Sequence, residues 1–175
     1  MLTLKKELEE VKQRLYDAEG SHNDLEQYIR KFNLVIHGIP ERQEEDNVEN
    51  VISLGNIVKV NLTSGDIDIV HRLNTKSKTK TRPIIVRFSN YKAKSQLYKA
   101  RINLRNVTLH DLEAEKIFIN ENVTARRAGL FREARKVIKK YHNGKTWTAD
   151  GKTFLKTDLT AKVLKIDSYE DLRTL

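Results

Sequence analysis

Residues 69–110 contain eleven Lys and Arg and no Asp or Glu; residues 124–145 contain eight Lys and Arg and one acid, Glu133. The two runs carry +11 and +7, against +9 for the whole 175-residue chain, so the remainder is net acidic. Like charges concentrated this way repel one another in a folded domain, and a polyanion laid against them relieves the repulsion. The chemistry on offer is phosphate binding by guanidinium and ammonium groups. Arg126 and Arg127 are the sharpest candidates. Thr124 can cap a helix, which places both arginines in its first turn. Cations there oppose the macrodipole, unless a bound anion meets them together with the backbone N–H groups. Arg132 and Arg135 continue along the same helix, and an ordinary solvated basic face is the alternative. In the first run, Lys76, Lys78 and Lys80 fall in the polar segment NTKSKTKTR at 74–82, a loop by composition; Arg82 ends it and Arg87 lies in the strand-like IIVRF at 84–88.

Other chemistries find little support. The chain has no cysteine, hence no disulfide, thiolate metal site or thiol nucleophile. His22, His37, His71, His110 and His142 are scattered without metal-ligand spacing. Asp66 and Asp68 fit the start of a strand better than a carboxylate pair, and there is no phosphate-binding glycine loop or nucleophile elbow. A non-enzymatic protein without cofactor or metal is expected. The opening MLTLKKELEE lacks the apolar run of a secretory signal, and no segment approaches a membrane span. A soluble intracellular protein is therefore expected, with no membrane partner.

The elements that must position these side chains fall into three segments, 1–32, 33–121 and 122–175. In the first, Leu8, Leu15, His22 and Ile29 alternate by four and three with Leu4, Val11, Ala18, Leu25 and Phe32. This a/d seam, with charge on the outer positions, predicts a self-associating coiled coil over a single packed helix. In the second, NLVIHGIP (33–40), DIDIVHR (66–72), IIVRF (84–88) and KIFIN (116–120) are expected strands. A helix with Val48, Val51, Ile52, Gly55 and Val58 inward follows the first strand; one capped by Ser89, with Ala93, Leu97, Ala100 and Leu104 inward, follows the third. That order is the split βαβ plan of ferredoxin-like and RRM folds. In the third, a helix from Thr124 to about Tyr141 precedes a hairpin turning at Asp150-Gly151, and Leu159, Val163, Leu164 and Ile166 are expected to close the module. At this size the module is marginal alone and is expected to lean on the central segment. The fold class expected is α+β: an N-terminal coiled coil, a ferredoxin-like RRM (βαββαβ) and a small α+β C-terminal domain.

LEQYIRKFNLVIHGIPE (25–41), DIDIVHRL, RPIIVRF and ENVTARR, in this order, resemble the RNA-binding first-open-reading-frame protein of LINE-type retrotransposons, over nearly the whole chain. TWTADGKTFLK is closer to invertebrate relatives and to the baculovirus few-polyhedra protein. The resemblance implies a parallel homotrimer, with Arg14-Leu15-Tyr16-Asp17-Ala18-Glu19 fitting the family's trimer pattern; Arg14 and Glu19 flank the seam, where they can pair between helices. It also implies that Arg126 and Arg127 bind RNA. Further expectations are single-stranded RNA and DNA as partners, a nucleic-acid chaperone role, and packaging of element RNA into cytoplasmic ribonucleoprotein particles, with the nucleus as a second location. An element-encoded reverse transcriptase is a further expected partner. RRM third strands place Pro83, Ile85 and Arg87 on the open sheet face, with Val35 and His37 beside them. No aromatic falls at the stacking positions of the two central strands, so charge rather than base stacking is expected to dominate. Two alternatives remain: a coiled-coil interaction adaptor whose RRM-like fold binds no RNA, and a viral assembly protein of the few-polyhedra kind.

Overall fold

The computed structural model describes residues 2–75 and 81–175. The chain is mixed α+β and divides into two compact units, one of residues 31–122 and one that joins residues 1–30 to residues 123–175.

In the 31–122 unit, β1 (Asn33–His37), β2 (Ile67–Arg72), β3 (Ile84–Phe88) and β4 (Phe118–Glu121) form one antiparallel sheet in the order β2-β3-β1-β4. Helix α2 (Asn47–Ile57) follows β1 and helix α3 (Tyr91–Ala100) follows β3, as the element order predicts. Alternation decides the faces. Leu34, Ile36, Ile84, Val86, Phe88 and Ile119 are buried in one core with Val51, Leu54, Val58, Ala93 and Leu97 of the helices. Each of the larger side chains contributes roughly 1.5–3 kcal/mol by leaving water. Gly38 ends β1 at φ +97°, and a Cβ there would lie 1.9 Å from the Lys116 carbonyl oxygen, so only glycine fits this close approach.

Several expectations shift. Leu54 takes the inward place assigned to Ile52: α2 buries Val51, Leu54 and Gly55, and Val58 is buried at its C-cap. Asn90, not Ser89, caps α3: its side-chain oxygen accepts the Ala93 N–H at 2.8 Å. The helix then tightens into a 3₁₀ turn at Arg101–Arg105. β4 starts at Phe118 rather than residue 116. Phe32 lies beyond the first helix and meets Tyr91 edge-on, at 6.5 Å between ring centroids, so it packs in this unit rather than in a heptad seam.

Two cations of the acid-free run are internal. Lys94 is buried and its Nζ donates to Glu121 at 2.7 Å. Arg72 is 4% exposed at its side chain and forms a bidentate pair with Glu45, at 2.8 and 2.6 Å. It also donates to the carbonyl oxygens of Ile39, Pro40 and Arg82. Neither can meet a partner molecule, so this run is a less basic surface than its composition suggests.

The other unit contains α1 (Leu2–Arg30), α4 (Ala125–Ile138), the antiparallel strands β5 (Lys145–Ala149), β6 (Lys152–Lys156) and β7 (Leu164–Ile166), and α5 (Tyr169–Arg173). The expected hairpin is present, with Asp150 at φ 50° and Gly151 at φ 71°, the pair of positive values a type I′ turn requires. A small core gathers Leu130, Ala134, Ile138, Leu155, Ile166 and Leu172. Leu159, Val163 and Leu164 do not join it: they are exposed, and Leu172 from the unanticipated α5 closes the core instead. A capping box between Ser168 and Asp171 starts α5. The sequence pattern also did not anticipate that α1 supplies part of this unit.

Candidate nucleic-acid interface

Residues 123–175 hold thirteen Lys and Arg against six Asp and Glu, a net +7, so most of the chain's charge excess lies there. α4 organises it. The Thr124 hydroxyl caps the helix by accepting the Arg127 N–H at 3.3 Å. The same threonine is tied to α1: its N–H donates to Gln27 Oε1 at 3.0 Å, and its hydroxyl meets Asn23 Oδ1 at 2.6 Å. A Cβ on Gly151 would lie 2.5 Å from the Gln27 side chain, so this residue serves both the turn and the seat of α1.

The Arg-Arg pair therefore divides. Arg127 is largely covered: it donates to Asp24 of α1 at 2.7 Å and to the Gly151 carbonyl at 3.0 Å. It holds three segments of its unit together and is poorly placed to bind phosphate. Arg126 points outward, 5.7 Å from the Tyr16 ring, with no acid at ion-pair distance among the described residues. Arg132 and Arg135 are exposed on the same helix, Arg135 with its guanidinium 6.0 Å from the Phe131 ring. Lys136 pairs with Glu133 at 2.7 Å.

The 31–122 unit presents fewer open cations. Arg82 is paired with Glu41, through its backbone N–H as well as its guanidinium, which holds the Glu41 carboxyl below its usual value. Arg87 lies on the open face, 3.2 Å from Asp68. Lys76, Lys78 and Lys80 lie outside the described residues. Val35, His37, Ile85 and Arg87 all alternate away from the core, as expected. One open-face residue was missed. Phe118 is 51% exposed and pairs in register with His37 on the adjacent strand. Lys116 Nζ stands 5.2 Å from its ring centroid. Partial burial lowers the His37 imidazole below its usual value. The alternation in KIFIN, with Ile117 and Ile119 inward, was the available signal. Two other aromatics pack: Trp147 stacks on Phe154 at 6.1 Å, and Tyr98 lies against Lys94 and Arg101.

On α1, Leu4, Leu8, Val11, Leu15, Leu25 and Ile29 are between 55% and 70% exposed, and Arg14, Ala18, Glu19 and His22 lie open on the helix with them. Among the described residues the a/d stripe stays exposed, while Asn23, Asp24 and Gln27 face α4 and the hairpin. Among the described residues no group of three His, Asp or Glu could hold a metal ion, and no helix is long and apolar enough to cross a membrane.

The fold and its surface thus define an α+β protein with a basic C-terminal module, a four-stranded antiparallel sheet open on one face, and a long amphipathic helix. No protein-family model matches the chain, and no curated protein matches it.

Proposed function

We propose that this chain is a non-enzymatic binding protein for single-stranded RNA and DNA that self-associates through α1. The observation that carries this is the exposed basic surface of α4, where Arg126, Arg132 and Arg135 stand open at different positions around the helix in a module of net +7. Such a face grips phosphate and reads little sequence. The strand order β2-β3-β1-β4 with both helices on one face supports an RRM-like identity for the 31–122 unit. The uncovered heptad stripe supports a coiled coil, and the resemblance to the LINE-type proteins, with Arg14 and Glu19 at the flanking positions of their trimer pattern, makes that coil a parallel trimer. Several weak sites on one trimer would give avidity while each strand stays exchangeable, the property a nucleic-acid chaperone needs. By its resemblance to the LINE-type proteins, it would package element RNA.

Binding to a labelled single-stranded RNA should fall by orders of magnitude between low and moderate salt. Replacing Arg126, Arg132 and Arg135 together by alanine should flatten the log–log salt slope by about 2, since each lost contact to a single strand removes about 0.7. A salt-insensitive complex, or no complex at any salt, would sink this function. Arg127 belongs outside that variant, because its loss would also loosen α1.

Phe118→Ala should weaken binding about tenfold through lost base stacking, with thermal stability unchanged because the ring is half exposed. Unchanged affinity would remove the open sheet face from the interface. It would favour the adaptor alternative for this unit, an idea already encouraged by the Arg82–Glu41 and Arg87–Asp68 pairs.

A further inference from the structure

α1 has two faces with different duties. Opposite the exposed heptad stripe, Tyr16 and Gly20 form one wall of a cleft of about 550 Å³, completed by Arg126 and Leu130 of α4, Lys152 of β6 and Tyr169 of α5. That volume lies within the roughly 300–1,000 Å³ typical of ligand pockets. The charges lining it are unequally satisfied. Arg127 is held by Asp24, and Lys165 by Asp167, each at 2.7 Å. Arg126 and Lys152 have no acid at ion-pair distance among the described residues, which leaves the cleft net positive.

Two aromatic rings line the same cleft without being buried: Tyr16 is 60% exposed and Tyr169 49%. Tyr16 lies beside the Arg126 guanidinium. Tyr169 is seated by a glycine, since a Cβ on Gly129 would come within 2.9 Å of its hydroxyl oxygen. Open cations beside open aromatic rings suit an anion that also carries a flat π-face. An acidic peptide would use only the cations.

We propose that this cleft is a nucleotide-sized subsite for single-stranded nucleic acid, with phosphate on Arg126 and Lys152 and a base against Tyr16 or Tyr169. It rests on the nucleic-acid reading above and gives it a location in which the first helix is part of the binding wall. Occupancy then stabilises the docking of α1 on its own module, and a ligand reports to the helix that self-associates.

The test is fluorescence anisotropy of labelled oligouridylate with the full chain at fixed low salt. Tyr16→Ala with Tyr169→Ala should weaken binding about tenfold or more, and Tyr16→Phe with Tyr169→Phe should restore it. Ultraviolet crosslinking of the unaltered chain should attach the oligomer at Tyr16 or Tyr169. If the unaltered chain binds but both double variants match it within twofold, or crosslinks fall only elsewhere, the subsite is overturned and the general function stands. If polyglutamate displaces the oligomer equally well from the unaltered and alanine chains, the cleft holds anions without reading a base and the proposal fails. If the unaltered chain binds no oligouridylate, the functional reading itself falls.

Discussion

Replacing Arg72 by alanine should destabilise the 31–122 unit by about 3–5 kcal/mol, the cost of breaking a buried ion pair from one side. The side chain ties the segment after β1 and the residue before Pro83 onto β2 through five hydrogen bonds. Its removal leaves the Glu45 carboxylate with the longer bond from Asn50, at 3.4 Å, in place of the guanidinium, and takes the Arg72 donor from the Ile39 carbonyl. A loss of this size is a large part of the 5–15 kcal/mol that holds an ordinary domain together. Lysine should rescue only partly, because an ammonium group cannot form the two parallel bonds of a guanidinium. Urea unfolding followed by circular dichroism, with amide exchange of β1 to β4, measures the effect; a loss under about 1 kcal/mol would refute the assignment.

The same pair fixes a pH signature. Hydrogen bonding from Arg72 holds the Glu45 carboxyl below its ordinary value. A carboxyl lowered on folding stabilises above its unfolded value and loses that contribution as pH falls through the folded one. The unaltered chain should therefore weaken in the acid range below about pH 4.5, and the part of that loss due to Glu45 should be missing in Arg72→Ala.

If the chain trimerises as proposed, Leu8→Asp combined with Leu15→Asp should reduce the particle from three chains to one, as measured by light scattering. Both leucines are more than half exposed in the single chain, so the substitutions cost little until chains meet. In a coil, each would place a carboxylate in an apolar seam, repeated in every chain. Helix content should fall as well, because residues 3–15 are exposed in the single chain and a helix that short is marginal in water. Affinity for long single-stranded RNA should drop with the lost avidity, while binding of a short oligomer should persist. An unchanged mass would show that the stripe serves another partner.

Features carried by neighbours in sequence were legible without the structure. The heptad in 1–30, the Thr124 cap, the Asp150-Gly151 turn and the alternation that sends Val35, Ile85 and Arg87 to one face are all set by local geometry. Composition likewise fixed the charge imbalance. What only the tertiary structure decided is which cations remain available. Arg72, Lys94 and Arg127 find their acids 27, 27 and 103 residues away, and Arg82 finds Glu41 across 41. No periodicity records such pairings, because an ion pair depends on where the folded chain brings two side chains together rather than on their spacing along it. The same reason hid the second face of α1. Tyr16, Asn23, Asp24 and Gln27 read as outer polar positions of a coil, and only the folded unit gives them Arg126, Thr124 and Arg127 as neighbours.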